Sequence, residues 1–385
     1  MRIGISIPAK LSGGSIIHLK EILNEWIKIN EQNEYILFTI PQNLIHLSSY
    51  INIKCYTIFK IPRIFSIFII KSIWEQVFLP FYSKYKKIDV LFCPGNFGPL
   101  FSPVRTVVMF QNAGPFCRSI NVKQVGFYRW FWFKAVGLMM RLSAKRAEHV
   151  IFISQHIKKY FINNYGFPAD KGKVIYLGRS QDISLSHKEG LSTLKAFGII
   201  KPYILFVSHL YRYKNVNQLI EGFGKSIKIL NEGRIHLIIA GHIADRKYFS
   251  KIIDVVERYR LKEQVQFLGQ VSRQKLRGLY NNCLFFIFPS TCENFASVLL
   301  EAMSSGSPIL CSNLSVMPEI CVDAALYFDP YDINDIAEKI VLMTKDENLR
   351  KTLRQKALKR AKYFPTWKEV AKQTLEVIEE VARGG

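Results

Sequence analysis

Apolar and polar residues follow one another in blocks along this chain, and the blocks keep one order. A short apolar run comes first, then a polar or glycine-bearing loop, then a longer stretch with helical spacing. Apolar runs of this length bounded by turn residues read as buried strands, and apolar positions three to four apart read as helices. The first half gives strands at 2–7, 35–40, 89–93, 106–110 and 149–154, with an amphipathic helix near 16–30 and a last apolar run at 174–177. The second half restarts with strand 203–207, helix 216–230, strand 235–240, helix 248–259, strand 264–268 and helix 272–281. Such alternation predicts an α/β architecture of doubly wound parallel sheets. The polar stretch Ser180 to Gly190 reads as the linker between two domains. Residues 335–356 read as one helical run, and Thr366 with Glu369 reads as a capping box opening a last helix to about Val381.

The second half leads into residues 284–312, LFFIFPSTCENFASVLLEAMSSGSPILCS, which parse as strand, polar loop, short helix and strand. Two carboxylates stand eight positions apart, Glu293 in the loop and Glu301 in the early turns of the helix. That helix is apolar nearly all round, so Glu301 must find hydrogen-bond donors or face a cleft, and sugar or ribose hydroxyls are suitable donors. Ser297 is a candidate cap, and backbone N–H groups from Phe295 to Val298 point at any anion lodged there. Upstream, Lys214 stands at the start of a helix, where the macrodipole disfavours a cation. A bound phosphate would compensate; a solvated surface lysine is the bland alternative. The other strands end in loops carrying His209 and Arg212, Gly241 and His242, and Gly269. In the first half Gly13-Gly14 follows the first strand and Gln111-Asn112 follows the strand at 106–110. A lone Gly pair reads first as a turn.

Composition adds one strong constraint. With 385 residues the chain suits two domains, and 53 Lys plus Arg against 30 Asp plus Glu leave a formal charge of +23. That surplus implies an anionic partner: nucleic acid, a phosphorylated substrate, or an anionic membrane surface. Segment 54–87 interleaves aromatics and aliphatics with lysines and has Glu75 as its sole acid; segment 118–146 has seven basic residues and no acid. Both read either as amphipathic helices covering a core, or as patches whose aromatics enter a lipid interface while basic heads meet anionic phosphates. The basic residues alternate with large aliphatics rather than forming a polar stripe, which weighs against a nucleic-acid-binding protein. No Gly-x-Gly-x-x-Gly follows a strand, which weighs against a nicotinamide oxidoreductase. Seven scattered cysteines without close pairs read as reduced thiols in a cytosolic protein. The opening MRIGISIPAK does not read as a signal peptide, and no apolar run reaches the length of a membrane span.

The spacing Glu293-Asn294-Phe295-Ala296 through Leu300-Glu301-Ala302 resembles the signature of the retaining glycosyltransferases of family four. Leu205 to Lys214-Asn215, Phe267-Leu268-Gly269, Phe288-Pro289-Ser290 and Ser305-Gly306-Ser307-Pro308 are similar to other parts of that family, and the likeness is strongest over 202–330. The resemblance implies a GT-B fold of two Rossmann-like domains facing a central cleft: 1–180 for the acceptor, 181–364 for the nucleotide sugar, and a helix at 365–385 crossing back. It implies transfer of a sugar from a nucleoside-diphosphate donor to a glycan hydroxyl with retained configuration, and no cofactor or metal. Lys214, His209 and the amides of Phe295, Ala296, Ser297 and Val298 would hold the diphosphate, with Ser208, Arg212, Gly241, Gly269 and Asn294 around the donor. Glu301 would bind the ribose and Glu293 the donor sugar near the reacting carbon. A donor phosphate oxygen would take the acceptor proton, so no protein base is assigned. Gly13, Gly14, Gln111 and Asn112 would lie on the acceptor side. Three departures stand out: Ser208-His209 replaces the common Gly-Arg, Gln111 a common histidine, and Ala296 a glycine. With the basic aromatic segments, these readings predict an enzyme of polysaccharide or lipopolysaccharide synthesis at the cytoplasmic face of the inner membrane, acting on a lipid-linked acceptor; a soluble acceptor is the alternative.

Overall fold

The structure is a computed structural model describing residues 1–385 apart from 10–13, 49–50, 67, 118–125, 180–186, 201, 232–233 and 385. The chain divides into two compact units. The first contains Met1–Phe116, Tyr128–Gly178 and Pro365–Gly385; the second contains Cys117–Phe127 and Arg179–Phe364.

Among the described residues the first unit has one parallel sheet of β1 (Arg2–Ile7), β2 (Glu34–Thr39), β3 (Tyr56–Lys60), β4 (Val90–Cys93), β5 (Arg105–Phe110), β6 (His149–Phe152) and β7 (Gly172–Val174). Its spatial order is β3-β2-β1-β4-β5-β6-β7. The strands are near-continuous apolar runs because helices cover both faces, as at Val107 to Phe110, where all four side chains are buried. The helix Trp367–Arg383 belongs to this unit and packs on the helix Gly14–Ile29, where the Trp26 indole N–H donates to the Ala371 carbonyl at 2.8 Å. Thr366 caps it with the full capping box to Glu369.

The second unit has β8 (Tyr203–Val207), β9 (His236–Ala240), β10 (Val265–Gly269), β11 (Phe285–Phe288), β12 (Ile309–Ser312) and β13 (Ala325–Phe328), all parallel, in the order β10-β9-β8-β11-β12-β13. Strand order reverses between β1 and β4 in the first sheet and between β8 and β11 in the second. Such switch points, at the carboxyl ends of the strands, are where open α/β sheets bind ligands.

Four expectations need correction. Segment 54–87 is not simply helical: it opens with the strand β3 and continues through helices Phe68–Ile73 and Leu79–Tyr85 joined by a π-helical turn, Trp74–Phe78. Its alternating basic and apolar residues fit a strand edge as well as a helix. The run 335–356 is two helices, Ile333–Lys345 and Glu347–Ala361; Asp346 leaves the helical conformation between them and caps the second through the Leu349 N–H. The last strand of the first sheet is Gly172–Val174 rather than 174–177, and β13 went unforeseen. Of the expected linker, 180–186 lie outside the described residues, and a helix, His187–Ala196, follows.

Candidate functional site

In the second unit the loops after β8, β9 and β10 are stitched together by backbone hydrogen bonds. Ser208 N–H donates to the Ala240 carbonyl at 3.0 Å, Leu210 to His242 at 2.9 Å and Gly241 to Gly269 at 2.7 Å. Gly241 is obligatory here: its φ is +152°, and a Cβ would lie 1.8 Å from the Ser208 carbonyl oxygen. The carboxyl edge is thereby a fixed platform.

Lys214 follows β8 and is 8% exposed. Its ammonium pairs with Glu293 Oε1 and stands over the rings of Tyr213 and Phe288, 5.2 and 5.3 Å from their centroids. The Ser290 hydroxyl donates to the same carboxylate oxygen at 2.6 Å. Glu293 is also held by its backbone: its N–H donates to Ser315 Oγ at 3.1 Å, and the Ser315 hydroxyl donates to its carbonyl at 2.8 Å. Thr291 N–H donates to the Tyr213 carbonyl at 2.8 Å, locking the β8 and β11 loops side by side at the switch point. The compensation that the macrodipole demands of Lys214 therefore comes from Glu293.

Arg212 and His209 differ in what surrounds them. Arg212 lies 3.5 Å from Asp245, whose other role is to cap the next helix by accepting from the Tyr248 N–H at 3.0 Å. Burial opposes ionisation of Asp245, yet that N–H and Arg212 together hold its carboxyl below the usual range. The His209 ring is largely exposed, but loss of water on one side, then Lys214 and His242, pull its pKa below the ordinary value. His209 and His242 lie with ring centroids 6.0 Å apart.

Glu301 lies in the helix Ser297–Ser304 and accepts a hydrogen bond from the buried Tyr280 hydroxyl at 3.4 Å. Burial pushes its carboxyl above the usual range, against the pull of Arg273, Tyr280 and Arg277. Those three residues recur at four- and three-residue spacing on the helix Arg273–Asn282, so one helix face looks toward this carboxylate. Asn294, Phe295 and Ala296 are buried, which leaves backbone as what they offer a ligand. The expected Ser297 cap is absent: Ala296 takes the cap position without a side-chain bond, because Ser297 is already the first helical residue. The Ser297 and Leu299 N–H groups are engaged by the Phe295 and Ala296 carbonyls at 3.0 and 2.9 Å.

In the first unit Gln111 and Asn112 leave the carboxyl end of β5, held by Asn96 and His18. Gly14 opens the helix after β1, while Gly13 lies outside the described residues.

The family model described as Glycosyltransferase Family 4 matches residues 13–182, and that described as Glycosyl transferases group 1 matches residues 196–360. The chain belongs to family four of the glycosyltransferases. O-antigen chain mannosyltransferase B of Escherichia coli is 29% identical over 236 residues, 60% of this chain and 61% of that protein. O-antigen chain mannosyltransferase RfbU of Salmonella typhimurium is 26% identical over 260 residues, 65% of this chain and 66% of that protein. Each match thus spans less than two thirds of the relative. A glycosyltransferase from Rickettsia africae superposes over 100% of this chain and 99% of that one, with TM-score 0.76 and 15% identity. Anabaena HepE in complex with UDP and glucose does so over 99% and 100%, with TM-score 0.75 and 17% identity. These likenesses show the fold, which is GT-B.

For this family-four chain the sequence reading missed Ser290, Ser315, Tyr213 and Phe288, the residues that seat the Lys214–Glu293 pair, and Tyr280 beside Glu301. Their advance signals were position, at strand ends and in the loop around Glu293, and, for Phe288 and Ser290, the likeness of Phe288-Pro289-Ser290 to the family, which named no role. The reading of seven reduced thiols is corrected as well: Cys292, beside Glu293, is disulfide-bonded to Cys117, 175 residues away, and the other five cysteines remain thiols. Spacing rules detect local cysteine motifs; a pair this distant meets only through tertiary structure.

The Lys214 and Glu293 side chains are 11% and 13% exposed, so removing one strands the charge of the other. Lys214→Met is expected to lower the unfolding free energy by about 2 kcal/mol, and Lys214→Met with Glu293→Gln by less than the sum of the single losses, with a coupling of about 1–3 kcal/mol. Urea titrations of the four proteins measure this, and strictly additive losses would mean the pair contributes nothing.

Proposed function

We propose that the chain is a retaining, metal-independent glycosyltransferase that moves a hexosyl group from a nucleoside-diphosphate sugar to a hydroxyl of a glycan acceptor in cell-surface polysaccharide or lipopolysaccharide synthesis. The observation that carries the reading is the Lys214–Glu293 pair beside a helix start and Glu301, at the switch point of the second sheet. The names of the Escherichia coli and Salmonella typhimurium relatives favour mannose as the sugar and a surface glycan as the acceptor. Lys214 and the amides of Phe295, Ala296 and Val298 meet the charge that develops on the leaving diphosphate, which is where preorganised cations and dipoles lower a barrier most. Glu301 accepts from the ribose hydroxyls, and Glu293 faces the donor sugar. A donor phosphate oxygen takes the acceptor proton on the face the diphosphate leaves.

A panel of GDP- and UDP-sugars, read by nucleotide release, tests this. One donor should be turned over, unaffected by EDTA, with Glu293→Gln slower by at least about a hundredfold, the size of one lost transition-state contact. Absence of turnover across the panel with glycan acceptors, or loss of activity in EDTA, would overturn the reading.

His209 is the second cation in this reading, favoured over Arg212 because Arg212 already has Asp245. A bound diphosphate raises an imidazole pKa, so donor binding takes up a proton. Affinity is then highest at low pH, begins to fall as pH rises through the depressed pKa of the free protein, and levels off above the pKa of the complex. Calorimetry should find this fall in the parent and a flat profile in His209→Arg; matching profiles would exclude the role.

A lipid-linked acceptor at an anionic membrane surface is supported by two helical faces of the first unit. Ile73, Val77, Phe81 and Tyr85, each four residues apart, are exposed, whereas Lys71 and Glu75 of the same segment are buried 3.6 Å from each other. On the helix Phe127–Arg146 the exposed positions Phe131, Lys134, Leu138, Arg141 and Lys145 repeat at three- and four-residue steps. Among the described residues no helix is long and apolar enough to cross a membrane, so contact would be interfacial, with apolar tips in the headgroup boundary and basic groups on lipid phosphates. Sedimentation with phosphatidylglycerol vesicles should pull down the parent and lose at least about tenfold in affinity for Phe81→Ser/Phe131→Ser. Equal partition of both proteins would remove this arm alone.

A further inference from the structure

At the carboxyl end of β5 the backbone under Gln111 is fixed from one side. Asn96 Oδ1 accepts from the N–H groups of both Gln111 and Asn112, at 2.7 and 2.8 Å. Asn96 itself sits at φ +80°, a conformation asparagine tolerates better than most side chains, and its N–H donates to the Met109 carbonyl at 3.2 Å.

The side chain is fixed from the other side. Gln111 Nε2 lies 3.1 Å from His18 Nδ1 and 3.6 Å from Met109 Sδ. A thioether has no proton to give, so the NH2 end of the amide faces it. His18 must then accept at Nδ1 and carry its own proton on Nε2. Its ring is 2% exposed, and burial pushes its pKa down to about 4, so it stays a neutral acceptor near pH 7. The imidazole packs against Trp367, centroids 5.6 Å apart. Trp367 in turn lies over Gly178, where a Cβ would come within 2.5 Å of the indole. The histidine has little room to turn.

With both Nε2 hydrogens committed, the amide presents its carbonyl oxygen outward. Gln111 is half-buried, and Oε1 has no hydrogen bond among the described residues. The carboxyl edge of the first sheet therefore offers a neutral acceptor in a fixed orientation.

We propose that Gln111 reads a substrate hydroxyl: Oε1 accepts a hydrogen bond from a sugar hydroxyl docked at this edge, and His18 is the positioning residue that keeps the amide turned that way. The inference rests on the glycosyltransferase reading above and adds a specificity element to it. A site built to accept from a hydroxyl rejects the analogue lacking it far more strongly than an apolar wall would, because the oriented carbonyl is left unpaired.

The test compares the parent with His18→Phe, which keeps a ring on Trp367 but removes the acceptor, and His18→Asn, whose amide oxygen can replace Nδ1. The donor found by the panel is used with methyl α-mannoside as the acceptor probe, together with the monodeoxy forms of each. His18→Phe should raise KM for one partner about tenfold with kcat changed less than about threefold, and His18→Asn should restore it. For the deoxy analogue lacking the hydroxyl that is read, parent and His18→Phe should agree. A KM effect on the donor assigns the hydroxyl to the donor sugar, and an effect on the mannoside assigns it to the acceptor; either supports the proposal. Equal kinetics of parent and His18→Phe, or the same loss on every analogue, would overturn it while leaving the glycosyltransferase reading intact; absence of turnover in the parent would sink both. Nitrogen-15 NMR of the parent gives a check independent of variant folding and of activity: His18 Nδ1 should be unprotonated and hydrogen-bonded, and a protonated Nδ1 would refute the geometry.

Discussion

An ammonium group at the start of a helix, with little water and two aromatic rings beside it, needs a carboxylate. Lys214 is that ammonium, and the need for Glu293 organises the switch point of the second sheet. Macrodipole repulsion alone amounts to a few tenths of a kcal/mol to about 1 kcal/mol, which solvent can absorb at a surface; at 8% exposure it cannot. The remaining features follow from holding the carboxylate in place. Ser290 donates to it, Ser315 brackets its backbone, and Thr291 ties its loop to Tyr213 on the Lys214 side. The same arrangement suits the proposed chemistry. Under the proposed function an incoming diphosphate would give Lys214 a second anion, so the interaction with Glu293 would loosen and free the carboxylate to turn to the sugar.

Glu301 solves a similar problem with different means. Half-buried in an apolar helix, it is kept usable by Tyr280 and by two arginines on the same helix face. A carboxylate has more acceptor sites than the Tyr280 hydroxyl uses, so Glu301 has acceptor capacity for hydroxyls. Glu293 is neutralised by a lysine at contact distance, whereas burial holds the Glu301 carboxyl above its usual range, a difference that suits a role near the phosphate and sugar for the first and near the ribose for the second under the proposed function.

Much of this architecture was legible from the sequence because parallel sheets covered on both faces write themselves as apolar runs. β1 and β8 were read to the residue, as was the Thr366 capping box, and a short helix carrying Glu301 was foreseen although its start was placed one residue late. What stayed hidden depends on tertiary neighbours. The serines around Glu293 are ordinary loop residues until the fold turns them inward. The Cys117–Cys292 pair spans 175 positions and leaves no local trace. Segment 54–87 misled for a physical reason of its own: one charged pair, Lys71 and Glu75, is buried while Ile73, Val77, Phe81 and Tyr85 are exposed, although Trp74 and Leu79 are buried and Lys84 and Lys87 exposed as an amphipathic helix has them. Burial pushes the Glu75 carboxyl up to about 7, against the pull of Lys71, so the pair is maintained under strain that a water-facing placement would relieve.

The two carboxyl edges then divide the work by charge. The second unit's edge collects Lys214, Glu293, Arg212, Asp245, His209 and Glu301, charged or titratable groups suited under the proposed function to a dianion. The Gln111 edge of the first unit is neutral: an asparagine, a glutamine and a histidine that burial keeps uncharged. A neutral edge is poorly suited to phosphate and well suited to hydroxyls, because a fixed amide distinguishes donor from acceptor without adding a field of its own. The replacement of a common histidine by Gln111 fits this logic, since an imidazole at that place would bring a titrating charge, while an amide locked by a buried neutral ring keeps one hydrogen-bond polarity across the physiological range.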